Sequence, residues 1–296
     1  MVRQIEPTPA QKEGAVRSHN NLRDLMFTGQ MQGRILTTYL SGSYSRDTAI
    51  RPLDDVDIIF VIDPSKWSSY FIFSRPRPDV ILDSIARAIR YRYQDSSVFR
   101  QRRSVRLQLN HLDIDVVPAI NKDSSGEFIY IPDRDADDWI LSAPKRHTAQ
   151  ATRINQKREN RFKPLVKLLK FWNSRLPSTT SLKSFAIETL AVRLFDVYDL
   201  DSLEGGLVYF FDFIAYIGNE RPNYRWTDSC DVSLNWLSTS IPDAAGTGTD
   251  LVSGVDSDRR VKFVAAATRS RNKMLQAQAA YSVETAWNRV SEALRA

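Results

Sequence analysis

The spacing of apolar residues divides the chain into a mixed front part and a helical back part. From Thr8 to about Gln32, the residues Ala15, Leu22, Leu25, Met26 and Met31 recur at helical intervals, with Thr8 or Pro9 placed to open the helix. RILTTYLSG then reads as a strand running into a turn, and VDIIFVID as a β-branched, buried strand that stops at Asp63 and Pro64. Helical spacing returns from Asp79 to Tyr93 through Val80, Ile81, Ile85 and Ile89. SVRLQLN alternates through Val105, Leu107 and Leu109, and LDIDVVPAI alternates until Pro118 ends the run. The short EFIYIPD segment predicts an edge strand.

Beyond about Lys145 helix follows helix. The pattern predicts one from about Thr148 to Ser174, then SLKSFAIETLAVRLF and LEGGLVYFFDFIAYI. An irregular stretch rich in Asp, Gly and Thr (about 240–257) precedes a helix from Asp258 to Ala280 and a last amphipathic one. Strands with one crossing helix, followed by a helical half, predict an α+β fold. Its mixed-sheet lobe spans 1–145 and its helical lobe 146–296, with a cleft between them. Internal repeats, low-complexity tracts and flexible linkers are not apparent.

Composition narrows the function classes. Hydrophobic residues make up 42% of the 296, enough for a packed core. A net charge of +6 fits an anionic partner (a nucleotide, a nucleic acid or an acidic surface) without choosing among them. Cys230 is the single cysteine, which excludes an internal disulfide and a zinc site built on several cysteines. A reducing, cytoplasmic setting is expected. The opening MVRQIEPTPAQKEG has no apolar core of the signal-peptide kind, and no apolar run approaches the ~20 residues that span a bilayer. With only His19, His111 and His147, neither a histidine metal site nor a histidine-based triad is expected. His111 reads as a strand-face residue, and Trp172 and Trp236 as core.

The carboxylates carry the chemistry. Asp55 and Asp57 stand at i and i+2 at the start of a strand, so both side chains leave one face while Val56 points to the other. Two carboxylates held this close repel at a cost of order 1–4 kcal/mol. A divalent cation offsets that repulsion, and Mg²⁺ suits a few carboxylates with water and phosphate oxygens. Asp113 and Asp115 share a face of a strand predicted to lie beside the first. Asp115, followed by the apolar VVPA, is the expected third ligand, and Asp113 a neighbour or an edge residue. Three convergent carboxylates can hold two metals ~3.5–4 Å apart. In the preceding turn, Gly42 lets the backbone approach an anion, and the Ser43 amide and hydroxyl can donate to phosphate. Arg46 or Arg51 would add charge, and Tyr44 lies beside the turn. A lone DxD or Gly-Ser is uninformative; the strand, Gly-Ser, DxD strand and second acidic strand together point to nucleotide transfer.

At these residues the chain resembles the polymerase-beta-like nucleotidyltransferase superfamily, whose signature is a Gly-Ser or Gly-Gly turn followed by a D-x-D or D-x-E strand. GSYSRDTAIRPLDDVDI resembles the CD-NTase branch, the bacterial cyclic-oligonucleotide synthases related to animal cyclic GMP-AMP synthase and oligoadenylate synthases. DIDVVPAI is similar to its third-carboxylate strand, and FKPLVKLLKFWNSRLPSTTSLKSFAIETL to its helix, turn and helix. The resemblance covers about residues 20–280 and is looser beyond Phe195.

It implies a bilobal enzyme in which Asp55, Asp57 and Asp115 are catalytic and hold two Mg²⁺ or Mn²⁺. Gly42, Ser43, Lys170, Lys167 and Ser184 would bind the nucleotide. Lys163, Lys167 and Lys170 do form one helical stripe, a pattern also met on solvated faces. The implied reaction makes a cyclic di- or trinucleotide from nucleoside triphosphates, releasing pyrophosphate, for a separate effector protein in CBASS-type anti-phage signalling. Zinc-dependent DNA activation is not expected, for want of cysteines and histidines, and a monomer is. The alternatives are nucleotidyl transfer to an RNA or protein acceptor, and a non-catalytic nucleotide-binding module. Base choice would rest on side chains between about Phe195 and Asn235.

Overall fold

The structure, a computed structural model, describes residues 1–72, 75–218 and 240–295, and over 68–72 the backbone alone. Trp236, Cys230 and much of the expected base-choosing stretch lie outside the described residues. The elements run α1 (Val2–Ile5), α2 (Pro9–Thr28), β1 (Ile35–Ser41), α3 (Gly42–Ser45) and β2 (Asp55–Ile62). Next come the two-residue strands β3 (Phe71–Ile72) and β4 (Arg75–Pro76), then α4 (Pro78–Arg92), β5 (Ser97–Arg100), β6 (Val105–Gln108) and β7 (Asp113–Asn121). They are followed by β8 (Ile129–Asp133), β9 (Asp138–Ser142), α5 (Pro144–Lys157), α6 (Phe162–Arg175) and α7 (Ser184–Val197). The last are α8 (Leu203–Ile217), α9 (Ser257–Gln278) and α10 (Val283–Ala293). They fall into two compact units, residues 6–148 and residues 1–5 with 149–296.

The first unit is built on a mixed seven-stranded sheet in the order β1-β2-β7-β6-β5, with β8 joining β7 and β9 joining β8. Its centre is the parallel pair β2 and β7; β1 and β6 flank it antiparallel. Alternation covers both faces. Val56, Ile58, Phe60 and Ile62 pack with Ile114 and Val116 under Leu22 and Met26 of α2 and Ile81, Ile85 and Ile89 of α4. Ile59, Val61, Ala119 and Ile129 form a smaller cluster on the other face. Helix α2 starts where the sequence predicts: Thr8 Oγ1 accepts from the Gln11 amide, and Gln11 Oε1 accepts from the Thr8 amide.

Several expectations need correction. Pro118 does not end its strand, which continues to Asn121. The amide of Asp113 points toward β2, so by alternation the nitrogen of Pro118 points to the opposite side. There β6 has already ended opposite Val116, and β8 begins only opposite Ile120, so no ladder bond is lost. EFIYIPD is not an edge: β8 lies between β7 and β9, and β9, β5 and the β3–β4 pair were not anticipated. His111 sits in the exposed turn between β6 and β7 rather than on a strand face, its Nε2 3.0 Å from Ser18 Oγ.

The second unit is helical. The single helix expected over 148–174 is two, α5 and α6, because Glu159 and Asn160 take left-handed backbone angles (φ 50° and 62°) that end α5. Trp172 is fully buried, packed against Phe211 and Phe263, and its Nε1 donates to Ser270 Oγ. Helices α7 and α8 form where the apolar runs predict them. No helix among the described residues is long and apolar enough to cross a membrane.

Candidate active site

Strand register places four polar residues in one row across four adjacent strands. Ser41 on β1 is opposite Asp57 on β2, Asp57 opposite Asp115 on β7, and Asp115 opposite Arg106 on β6. Directly opposed residues share a face, so these side chains leave the sheet together. The next row holds Asp55, Asp113 and Gln108. Two aspartates in each of two parallel strands, at the same spacing and in register, thus converge on one patch.

Gly42 has a second reason to be glycine. Its φ of +68° suits a residue without Cβ, and a Cβ placed there would lie 1.8 Å from Asp57 Oδ2. The turn therefore closes directly over the carboxylate. The Gly-Ser segment is a short helical turn, Gly42–Ser45, with Ser43 as its second residue. Arg46, at its end, is buried, and its charge acts on Asp57; Arg51 Nε instead donates to the Glu6 carbonyl at 3.0 Å. The Tyr44 hydroxyl lies 3.5 Å from the Lys12 carbonyl.

Electrostatics mark the patch as under strain. Burial, then repulsion from Asp55 and Asp115, pushes the Asp57 carboxyl up to about 7, although Arg46 and Arg106 pull the other way. Asp55 is raised for the same reasons, burial first and Asp115 second. Arg106 forks onto Asp115: Nε donates to Oδ1 at 2.9 Å and Nη2 to Oδ2 at 2.6 Å, while Nη1 lies 3.2 Å from Asp113 Oδ2. Among the described residues no three His, Cys, Asp or Glu side chains form a ready-made metal cluster. Both oxygens of Asp115 are engaged by Arg106. The donor set nonetheless fits a hard divalent cation: three carboxylates, oxygen-only, crowded enough to raise the proton affinity of Asp55 and Asp57.

In the helical unit, Lys167 and Lys170 are both buried rather than lying on a solvated stripe; Lys163 is half-buried. Lys170 Nζ pairs with Glu188 Oε2 at 2.7 Å, both side chains being under 5% exposed. Ser184 is exposed and opens α7, whose cap residue Lys183 makes no side-chain capping bond. Arg106 is the site residue that sequence reading missed. The signal was present, a cation at the outward position of an alternating strand, but the β6–β7 register was needed to bring it to Asp115.

Comparison with known proteins places these features in a family. Residues 1–155 match the model of the Second Messenger Oligonucleotide or Dinucleotide Synthetase domain. A cyclic AMP-AMP-AMP synthase of Acinetobacter sp. (strain ATCC 27244 / 9458) is 33% identical over 221 residues, 71% of this chain and 61% of that protein. A cyclic UMP-AMP synthase of Rhodothermus marinus is 25% identical over 177 residues, 53% of this chain and 61% of that protein. The chain thus spans less than two thirds of the length of these curated relatives. Among solved structures, CdnC of E. coli MS115-1 in its complex with HORMA-deltaN superposes with a TM-score of 0.75 at 17% identity, covering 99% of this chain and 93% of that one. CdnG of Bradyrhizobium diazoefficiens, solved with GTP, gives 0.72 at 14% identity, covering 99% and 95%.

Proposed function

Because the chain belongs to the Second Messenger Oligonucleotide or Dinucleotide Synthetase domain family, the CD-NTases of polymerase-beta-like fold, we propose that it joins nucleoside triphosphates into a cyclic di- or trinucleotide. The observation that carries the reading is the in-register convergence of Asp55, Asp57 and Asp115 beside the Gly42 turn. We assign these carboxylates the holding of two Mg²⁺ or Mn²⁺, which when bound neutralise charge on the transferring phosphates. Gly42 and Ser43 offer backbone and hydroxyl donors to the triphosphate, and Arg46 adds positive charge beside Asp57. Lys170, Lys167 and Ser184 are proposed to contact the donor triphosphate from a helical lobe, as the family resemblance implies.

In each transfer a 2′ or 3′ hydroxyl attacks the α-phosphorus of a second nucleotide. A P–O bond to the nucleoside forms as the hydroxyl proton is lost to solvent, the bond to the β-phosphate bridging oxygen breaks, and pyrophosphate leaves. A last transfer within the linear di- or trinucleotide closes the ring. The product would be read by a separate effector in anti-phage signalling. ATP is the first substrate to test, since the 33% identical relative is a cyclic AMP-AMP-AMP synthase. Purified protein is incubated with labelled triphosphates and Mg²⁺ or Mn²⁺, treated with phosphatase, and the product weighed by mass spectrometry. A phosphatase-resistant cyclic mass supports the reading; its absence with every base combination overturns it.

A further inference from the structure

Arg106 is held within the acidic patch by several contacts at once. It is a direct cross-strand partner of Asp115, forks onto both oxygens of that carboxylate and reaches Asp113 with its third nitrogen. With the Gln101 amide turned so that its oxygen faces Arg106, that oxygen accepts from Nε at 2.8 Å, while the amide nitrogen donates to Ser104 Oγ at 2.6 Å. The Arg106 side chain is three-quarters buried. It therefore is tied on two sides to β7 and to the residues just before β6, unlike a surface cation that drifts with solvent.

We propose that Arg106 is a built-in counter-cation that keeps Asp115 from serving as a metal ligand until the guanidinium is drawn away. The inference rests on the reading of Asp55, Asp57 and Asp115 as the metal centre. A planar, always-charged fork engages both carboxylate oxygens at once, and its positive charge opposes an incoming divalent ion at the same place. In the free protein a divalent ion meets Asp55 and Asp57 as its available carboxylates, with Asp115 neutralised. Arg106 thereby sets the metal affinity of the free enzyme low. A triphosphate, which brings negative charge of its own, is the class of ligand that can draw the guanidinium off Asp115 and complete the three-carboxylate set. Arg106 is on this account a positioning residue, acting on the metal through Asp115.

The test is Mn²⁺ binding to the full chain without nucleotide, followed by the electron paramagnetic resonance signal of free Mn²⁺. Arg106→Gln is expected to bind Mn²⁺ at least tenfold more tightly than the wild type. In EDTA the same variant is expected to melt at a lower temperature, because the carboxylates then repel without a counter-cation. Adding Asp115→Asn to Arg106→Gln is expected to abolish the tightening. Should Arg106→Gln not fold, Arg106→Lys is read instead; it keeps the charge but loses the fork, and is expected to tighten Mn²⁺ about threefold. Unchanged or weaker Mn²⁺ binding in the folded variant overturns the inference. Asp57→Asn in the wild-type background separates this failure from a wider one. If it leaves Mn²⁺ binding intact, the metal-centre reading itself fails; if it removes binding while the Arg106 variants change nothing, only the counter-cation role fails.

Discussion

Replacing Asp57 by Asn should make the metal-free protein more stable at alkaline pH, against the usual effect of altering a buried site. Asp57 is ionised at pH 8 despite burial and the neighbouring charges of Asp55 and Asp115. Moving a carboxyl from its ordinary 3.8 to about 7 corresponds to about 4 kcal/mol of opposed ionisation, at about 1.4 kcal/mol per pH unit. The side chain keeps partial contact with water, so the share that Asn recovers is about 1–3 kcal/mol. At ~2–4 °C per kcal/mol for a protein of this size, Tm should rise by about 2–12 °C in EDTA. The sign follows from the direction of the shift. A raised carboxyl favours the folded state fully below its ordinary value and loses that advantage as pH rises through about 7. The gain from Asn should therefore be full at pH 8, less than half at pH 5 and absent near pH 4. Saturating Mn²⁺ should reverse the order, stabilising the wild type but not the variant. The assay is a set of thermal melts over pH with EDTA or Mn²⁺. A variant melting at or below the wild type at pH 8 in EDTA, or gaining equally at pH 4 and pH 8, would refute the reasoning.

Gly42→Ala should reduce turnover at least 100-fold, because its Cβ must displace the Asp57 carboxylate and φ is +68°, with strain of about 1–3 kcal/mol. Cyclic-product yield and a melt measure this, and near-normal turnover contradicts the assigned closeness of turn and carboxylate. Lys170→Met removes the buried ammonium that pairs with Glu188 and should cost about 3–5 kcal/mol by denaturant titration. Adding Glu188→Leu should restore at least half of that loss, and no recovery argues against the ion pair. Asp133, nearly fully buried, is pushed up by burial, but hydrogen bonds from Arg102 and Arg103 outweigh this and hold its carboxyl below the ordinary range. Its stabilising contribution is present above about pH 4 and lost as pH falls further. Asp133→Asn should thus lower Tm by a few degrees at pH 7, and the gap to the wild type should shrink as pH falls below the ordinary carboxylate range; a constant gap counts against the linkage.

Elements were legible wherever a local rule had no rival. The Thr8–Gln11 box marks the start of α2, and the uniform apolar runs of α7 and α8 leave no alternative to buried helices. The misreadings share one cause, a local signal overruled by what lies beside it. Pro118 is a strand breaker only where its missing N–H would face a partner, and here the partner strand has ended. The break between α5 and α6 rests on two residues in left-handed conformations, which helical periodicity across 148–174 does not reveal. The strands β5 and β9 are only four and five residues long, each paired with its sequence neighbour across a short turn, so their few residues carry little signal alone.

The amino-acid order by itself determined the family-level reading and the chemistry on offer. A D-x-D pair alternates to one face by strand geometry alone, and the Gly-Ser before it and the D-x-D after it repeat a recognisable pattern. What only the tertiary structure decided is how those groups act on one another. Register in the parallel pair sets Asp57 opposite Asp115, so their charges add, and the β6–β7 pairing brings in Arg106, a residue no local rule selects. Gly42 changes its meaning in the same way, from a flexible turn residue to the one residue that leaves room for Asp57. Charge coupling falls steeply with distance, and distances between residues about fifty positions apart exist only once the strands have paired.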